Sequence, residues 1–306
     1  MTYPWLEEVE REFSERLHGG RLAHALLLSG PQECGKVELA RKFLASVLCL
    51  EERYPACGAC RSCQLFQTGA HPDGHVITFE EHPTTGNLRK ELVVGQVRRL
   101  TASLFLTNTI SRRKGALVYP VESMNLNTAN ALLKTLEEPP GETVMILVSH
   151  DPARLPATIR SRCQALQLRL PETRAALAWV SAEHGCDSAT AEHALEAAAG
   201  SPLRAVNMLD DGGAEEYTGV NRTLDGLLDG SCTMARALSV LGDIEPARLW
   251  SWISLKTAKL ARVGAEQGRD VQQVLELQRQ ADRNRGLSPT PVRKDLLLQD
   301  WLIQWG

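Results

Sequence analysis

The chain has 306 residues, of which 43% are hydrophobic and 23% are charged, and its formal net charge is -3. A chain of this length usually forms more than one domain, and this composition supports packed cores rather than long disordered segments. The small negative net charge argues against binding of nucleic acid along a broad basic surface, so any DNA contact is expected to be local or indirect.

The N-terminal residues carry no export signal, which would show a basic start followed by an apolar run. No apolar stretch approaches the roughly 20 residues that a membrane-spanning helix needs. We therefore expect a cytoplasmic protein with no membrane partner. In that reducing compartment its cysteines should serve as metal ligands or core residues rather than form disulfides.

Strand and helix patterns alternate in the first half of the chain. The helices are predicted at residues 5–17, 37–48, 93–106 and 127–136. The strands are predicted at residues 25–28, 76–79, 116–119 and 144–149. This alternation predicts an α/β fold in which helices cover a parallel sheet.

Beyond residue 171 the strand patterns stop. Alanine-rich helices are predicted at 172–183, 189–199 and 203–209, and helical patterns continue to the C-terminus after a glycine-containing boundary at 210–213. We therefore predict an α/β domain at 1–168, a small helical domain at 169–210 and a C-terminal helical domain at 211–306. Trp301 and Trp305, one helical turn apart, are typical of a core, although a subunit interface would give the same pattern.

A phosphate-binding loop, residues 30–36, lies between the first predicted strand and its helix. Gly30 and Gly35 let backbone N–H groups face an anion, and Lys36 adds positive charge for the outer phosphates. Val37 stands where a Ser or Thr hydroxyl would bind magnesium, so hydrolysis should be impaired whether or not nucleotide still binds. The alternative is a chance glycine-containing turn.

A second defect follows the strand predicted at 116–119. An ATPase of this type places a metal-binding acid and a water-activating acid at that strand end. Tyr119 and Pro120 occupy those positions, and the first acid, Glu122, comes after the proline. Two defects at two matching positions favour a degenerate ATPase site over chance.

Four of the eight cysteines cluster with the spacing C-x7-C-x2-C-x2-C, namely Cys49, Cys57, Cys60 and Cys63. Four thiolates complete a closed tetrahedral site, which is typical of structural rather than catalytic zinc. An iron–sulfur cluster is the rival occupant and a redox dithiol the next. His71 and His75 follow the cluster and are interpreted as loop residues, because four sulfurs already complete the site.

Two further stretches make the sequence more specific: residues 130–140, which end in Glu137-Glu138-Pro139-Pro140, and Ser161-Arg162-Cys163. Together with the phosphate loop and the cysteine cluster, they resemble bacterial sliding-clamp loader subunits of the AAA+ class. The resemblance covers essentially the whole chain and is strongest from 23 to 169. It implies an AAA+ P-loop-type parallel sheet domain with a zinc module, then a small helical lid domain and an all-helical oligomerisation (collar) domain.

Within this family the resemblance implies an ATPase-defective subunit rather than a motor, because motor subunits keep the hydroxyl and the acid that Val37 and Tyr119 replace. It also implies a role for Arg162. In the family the arginine of Ser-Arg-Cys reaches the nucleotide site of the adjacent subunit, so Arg162 is the implied arginine finger, acting in trans. From the residues alone, a solvated arginine at a helix end is the alternative.

The implied partners are motor subunits of the gamma/tau type, a delta-like subunit and, through the assembled complex, the sliding clamp and primed DNA. ATP would be hydrolysed in the neighbouring subunit, so no intrinsic catalysis is expected, although the assembly belongs to the DNA polymerase III holoenzyme, a nucleotidyltransferase (transferase) active in DNA replication. Two alternatives remain open: an ATP-hydrolysing motor subunit, and a zinc-stabilised nucleic-acid-binding protein. The basic cluster Arg112-Arg113-Lys114 is interpreted as a solvated loop before a strand, with contact to DNA phosphates as the alternative.

Overall fold

The computed structural model describes residues 3–82, 84, 86–288 and 290–306. Met1 and Thr2, part of the N-terminal stretch interpreted above, lie outside the described residues. The chain divides into two compact units, one ending at Glu172 and the other spanning Thr173–Gly306. Across the described ranges, no helix combines the length and the apolar character that crossing a membrane requires.

The first unit is built on a five-stranded parallel sheet with the strand order β2-β3-β4-β1-β5. The strands are β1 (Ala25–Ser29), β2 (Gly74–Ile77), β3 (Lys114–Val118), β4 (Thr143–Ser149) and β5 (Gln164–Gln167). Strands β1, β3 and β4 are buried along their whole length, as expected for parallel strands covered on both faces. The predicted parallel α/β sheet is confirmed.

Six α-helices are described in this unit: α1 (Glu7–His18), α2 (Lys36–Leu48), α3 (Arg61–Gln67), α4 (Val94–Leu104), α5 (Leu126–Glu137) and α6 (Ala157–Arg160). Helix α2 packs on β3 and β4. Because alternate strand residues face opposite sides of a sheet, Leu27 and Leu147 join a separate core with α4 and α5. Helix α5 ends at Glu137, one residue beyond the predicted end at 136, and Pro139 cannot continue it.

The local patterns located most elements of this unit to within two residues, and three elements were missed: α3, α6 and β5. Helix α6 has only four residues, too few to show a helical periodicity. Strand β5 is short and only Leu166 within it is buried, so it lacks the apolar run that marks the central strands. Helix α3 lies inside the cysteine-containing insertion, where the cysteine spacing dominated the interpretation. His75 lies in β2, so its interpretation as a loop residue is wrong.

Within the second unit the described elements are helical. They are α7 (Thr173–His184), α8 (Ser188–Ala197), α9 (Pro202–Asp210), α10 (Gly213–Leu228), α11 (Met234–Gly242), α12 (Pro246–Glu266), α13 (Gln272–Leu287) and α14 (Lys294–Trp305). One hydrophobic core includes residues from Ala176 to Trp305. Trp301 and Trp305 are buried and stacked in it, which confirms their interpretation as core residues. The division into lid and collar domains at residue 210 stays a prediction.

Candidate nucleotide-site and metal-site residues

The predicted phosphate loop joins β1 to α2, and its glycines are required by packing within this chain. Gly35 caps α2 with φ +88°, and a Cβ there would lie 2.6 Å from Cδ2 of the Tyr3 ring. Gly30 has φ +157°, and a Cβ there would lie 2.5 Å from the backbone oxygen of Leu168. Only glycine adopts these conformations without strain and leaves room for both neighbours.

An aromatic N-terminal segment, residues 3–6, packs against this loop. Tyr3 and Leu6 are buried and both approach Gly35. The indole Nε1 of Trp5 donates a hydrogen bond to the backbone oxygen of Cys34 at 3.0 Å, and the Trp5 ring stacks on Tyr3. The chain therefore covers one side of its own phosphate loop.

The Lys36 side chain is turned back on the loop. It is 2% exposed, and its Nζ donates to the backbone oxygen of Pro31 and to Cys34 Sγ. Burial lowers the pKa of Lys36, opposed by its charge interaction with Cys34, while burial raises the pKa of the Cys34 thiol. The Lys36 ammonium group is thus bonded within its own loop, whereas in a nucleotide-binding loop it would extend toward a phosphate.

Tyr119 and Pro120 directly follow β3, at the place where an ATPase needs acids. The Tyr119 hydroxyl accepts a hydrogen bond of 3.0 Å from Nη2 of Arg41, and the Arg41 guanidinium lies 5.9 Å from the centre of the Tyr119 ring. Tyr119 therefore binds a cationic side chain of α2, where the corresponding acid of an ATPase would bind magnesium.

Glu122 reaches this region from beyond the proline, a contact that the sequence did not indicate. Its Oε1 accepts a hydrogen bond of 2.9 Å from the backbone N–H of His150, just after β4. Its Oε2, together with Ser149 Oγ and His150 Nδ1, is buried and has no hydrogen-bond partner among the described residues. Burial, with the nearby charge of Lys36, lowers the pKa of His150.

The four predicted zinc ligands come together. The Sγ atoms of Cys49, Cys57, Cys60 and Cys63 all lie within 4.8 Å of one another, and Cys57 and Cys63 are 3.9 Å apart. Four sulfurs bound at about 2.3 Å around a tetrahedral ion lie about 3.8 Å from each other. The sulfur set therefore fits one ion of zinc's size.

Helix ends and backbone donors position these sulfurs. Cys49 follows the last residue of α2, and Cys60 caps α3. The backbone N–H groups of Cys57, Cys60 and Cys63 point at the sulfurs of Cys49, Cys57 and Cys60 over 3.3 to 3.5 Å. Burial alone would raise the pKa of Cys60, but N–H and thiol donors outweigh it and lower this pKa to about 6. Such donors favour the thiolate that a metal needs.

A buried polar network lies behind the cysteine cluster. Ser62 and Ser111 both donate through Oγ to the backbone oxygen of Leu48, at 2.6 and 2.7 Å. His71 Nδ1 accepts from the backbone N–H of Asp73 at 3.0 Å, so in a neutral ring Nε2 carries the proton and donates to Ser62 Oγ at 2.8 Å. Burial lowers the pKa of His71, which keeps the ring neutral. His71 lies in a loop, as interpreted from the sequence, and its ring supports the cysteine module.

Arg162 lies two residues beyond α6, and its side chain is 35% exposed. Its Nη1 donates to the backbone oxygen of Thr158 at 2.9 Å, and its Nη2 lies 2.5 Å from Oε1 of Glu137. These partners belong to α5 and α6. Within the described part of the chain, Arg162 makes no hydrogen bond or ion pair with the phosphate loop. Burial raises the pKa of the adjacent Cys163 to about 11, so this thiol stays neutral.

Residues 5–172 match the protein family described as DNA polymerase III, delta subunit. The chain is 34% identical to the DNA polymerase III subunit delta' of Pseudomonas aeruginosa over 99% of this chain and 89% of that protein. It is 31% identical to the Yersinia pestis subunit delta' over 99% of this chain and 95% of that protein. It is also 31% identical to the DNA polymerase III subunit gamma/tau of Mycobacterium bovis, over 77% of this chain and 39% of that longer protein.

Proposed function

The chain belongs to the DNA polymerase III delta' family of clamp-loader subunits, and we propose that it acts as the ATPase-defective stator of its loader. In this role it closes a ring of motor subunits and offers Arg162 to the ATP of its neighbour. It also provides a fixed surface against which the motors open the sliding clamp at primed DNA in the cytoplasm. The observation that carries the proposal is the contrast between a phosphate loop packed by its own chain and an arginine whose side chain stays partly exposed at the surface.

Loss of ATP hydrolysis is supported at each point where magnesium and phosphate would be held. The Val37 side chain has no oxygen to bind the metal, and the Tyr119 hydroxyl accepts a hydrogen bond from Arg41. Lys36 is bonded within its own loop. The carboxylate of Glu122 is near, but it accepts from the backbone of His150 rather than standing at the strand end. Phosphoryl transfer needs all these groups in place together.

The role in trans is supported by the exposure of Arg162 and by the relatives. An arginine finger must leave its own chain's surface and meet developing charge on a partner's nucleotide. The similarity to a gamma/tau subunit supports partners of that type, with a delta-like subunit completing the ring. The clamp and primed DNA would then be partners of the whole assembly.

The decisive experiment measures single-turnover ATP hydrolysis by the reconstituted loader with clamp and primed DNA. Arg162→Ala should slow the phase from the facing motor site by about 10³ to 10⁵-fold, the range for arginine fingers supplied in trans. Arg160→Ala is the matched control, because Arg160 is exposed at the end of α6 and donates to the backbone oxygen of Pro152 in its own chain. Unchanged kinetics for Arg162→Ala in assemblies of native mass would refute the finger.

We further propose that Zn²⁺ fills the four-cysteine site in a structural role. Four thiolates leave no open coordination position for chemistry, and the cluster connects α2 to α3 beside the network of Ser62 and His71. Elemental analysis should give about one zinc per chain, with loss of that zinc in Cys60→Ser and retention in Cys163→Ser. Iron with visible absorbance would instead identify an iron–sulfur cluster.

The two alternatives predict different behaviour. A motor subunit would hydrolyse ATP alone with magnesium. A zinc-stabilised nucleic-acid binder would bind DNA alone with steep salt dependence. The basic cluster offers little for this, because Arg112 pairs with Glu52 and Glu142, and Lys114 is buried with its Nζ bonded to the backbone oxygen of Ser103.

A further inference from the structure

Glu137, the last residue of α5, forms an ion pair with Arg162, which lies two residues beyond the end of α6. The Nη2 to Oε1 distance is 2.5 Å, and the side chains of Arg162 and Glu137 are 35% and 47% exposed. Both charges therefore stay at the surface, although the two residues are far apart in sequence. Nothing in the proposed function requires Arg162 to have this partner.

The backbone beneath the pair is fixed. Leu136, next to Glu137, is buried, and its backbone oxygen contacts His24 Nε2 at 3.0 Å. Ile159, three residues before Arg162, is fully buried in the same core as Leu136. The two helix ends are thus held by shared packing, so the carboxylate and the guanidinium meet on a rigid base.

The contacts of Arg162 leave part of its donor set available. Guanidinium has five N–H donors in a planar fork. Nη1 donates to the backbone oxygen of Thr158 and, at 3.4 Å, contacts Ser161 Oγ, while Nη2 forms the ion pair with Glu137. Among the described contacts, Nε–H has no partner, and Nη2 has none besides Glu137. Nε and Nη2 therefore keep donors that can engage phosphoryl oxygens of another subunit.

We infer that Glu137 is the positioning residue of the arginine finger: it holds the Arg162 fork in one orientation before the neighbour's nucleotide arrives. The inference rests on the proposed function. A long, partly exposed side chain otherwise loses rotamer freedom at the moment it engages the transferred phosphoryl group. Ordering it beforehand removes that cost from the chemical step and places its donors where charge develops.

The test is single-turnover hydrolysis in the reconstituted loader with Glu137→Gln, Arg162→Ala and the double variant. Because the pair is exposed, Glu137→Gln should slow the facing site about threefold to fivefold, with the KM for ATP and the melting temperature unchanged. In the Arg162→Ala background it should have no further effect, since a positioning residue acts only through the group that it positions. Glu138→Gln is the matched control, because the neighbouring Glu138 is exposed and has no ion pair within the described residues.

The outcomes separate the two proposals. If Arg162→Ala itself leaves the kinetics unchanged, the arginine finger fails and the positioning role fails with it. If Arg162→Ala is slow but Glu137→Gln matches wild type, the finger stands and the positioning role is refuted. A faster Glu137→Gln, or an equal loss in the Arg162→Ala background, also refutes positioning: the first would show restraint of the arginine and the second an independent structural effect.

Discussion

The phosphate loop (30–36) and the arginine segment (161–163) are both expected parts of a nucleotide site, yet they differ in how far they are buried by their own chain. In the loop, Lys36 is 2% exposed and Gly35 lies against the Tyr3 ring. In the arginine segment, Arg162 keeps a 35% exposed side chain held by a surface carboxylate. The phosphate loop is therefore packed by its own chain, whereas under the proposed function the arginine segment acts on a partner. Substitutions in the loop should therefore change stability, and those in the arginine segment should change catalysis.

A large destabilisation is expected from Gly35→Ala in the phosphate loop. A Cβ at this position would meet the Tyr3 ring at 2.6 Å, at a backbone φ of +88° that suits glycine. Positive-φ strain and overpacking together should cost about 3 kcal/mol of unfolding free energy. Urea denaturation of the isolated chain measures this cost.

The matched control is Gly141→Ala, whose φ is +56° and whose added Cβ would meet nothing within 4 Å. It should cost only the backbone strain, about 1 kcal/mol. Tyr3→Ala should reduce the cost of Gly35→Ala, because it removes the side chain that the new methyl strikes. Equal costs for the two glycine variants would show that the N-terminal segment does not pack against the loop. The contrast between a packed phosphate loop and a partly exposed arginine segment would then be refuted.

Local sequence patterns were sufficient for much of the fold and the candidate sites. Apolar runs marked the buried strands, helical periodicity marked the end of α5 to within one residue, and the cysteine spacing marked a sulfur site whose atoms do converge. These features depend on residues that are close together in the sequence. The contacts of Gly35 and Arg162 with distant residues do not.

The contacts that sequence reasoning missed join distant side chains. Tyr3 contacts Gly35, and Glu137 pairs with Arg162. Both contacts depend on how separate elements pack together, which the periodicity within each element does not reveal. Glu122 reaches His150 in the same way, because the chain turns back after β3 and carries the acid to the end of β4. The sequence could place each residue on its element, but only the assembled core decides which elements bring their ends together.

A smaller effect is expected from Lys36→Met, and it has a distinctive pH dependence. Burial lowers the pKa of Lys36 below its usual value near 10.5. Between the lowered value and 10.5 the unfolded chain binds more protons than the folded chain, so this lysine makes stability rise with pH. At neutral pH, relief of the buried charge should offset the lost hydrogen bonds to within about 1 kcal/mol.

The measurement compares urea midpoints from neutral to alkaline pH in a Cys34→Ala background. That background is needed because burial raises the pKa of the Cys34 thiol, which makes stability fall with pH in an overlapping range. The rise with pH should be present with Lys36 and absent in the Lys36→Met variant. Loader turnover should stay within about twofold of wild type, whereas a motor subunit would lose the lysine that contacts its phosphates. A large loss of turnover in intact assemblies would show that the loop still serves nucleotide chemistry.

The smallest expected effect is that of Val37→Thr, which restores the missing hydroxyl at the start of α2. Val37 is only partly buried, so stability should change by less than about 0.5 kcal/mol. The isolated chain should still show no magnesium-dependent ATP hydrolysis, because Tyr119 remains bound to Arg41 and Lys36 remains bonded to Pro31. One oxygen ligand does not rebuild a site that needs a metal, a base and an extended lysine together. Turnover above the metal-free control would show that the missing hydroxyl alone prevents hydrolysis. The packed state of the loop would then be a resting conformation of a nucleotide site, not the result of its loss.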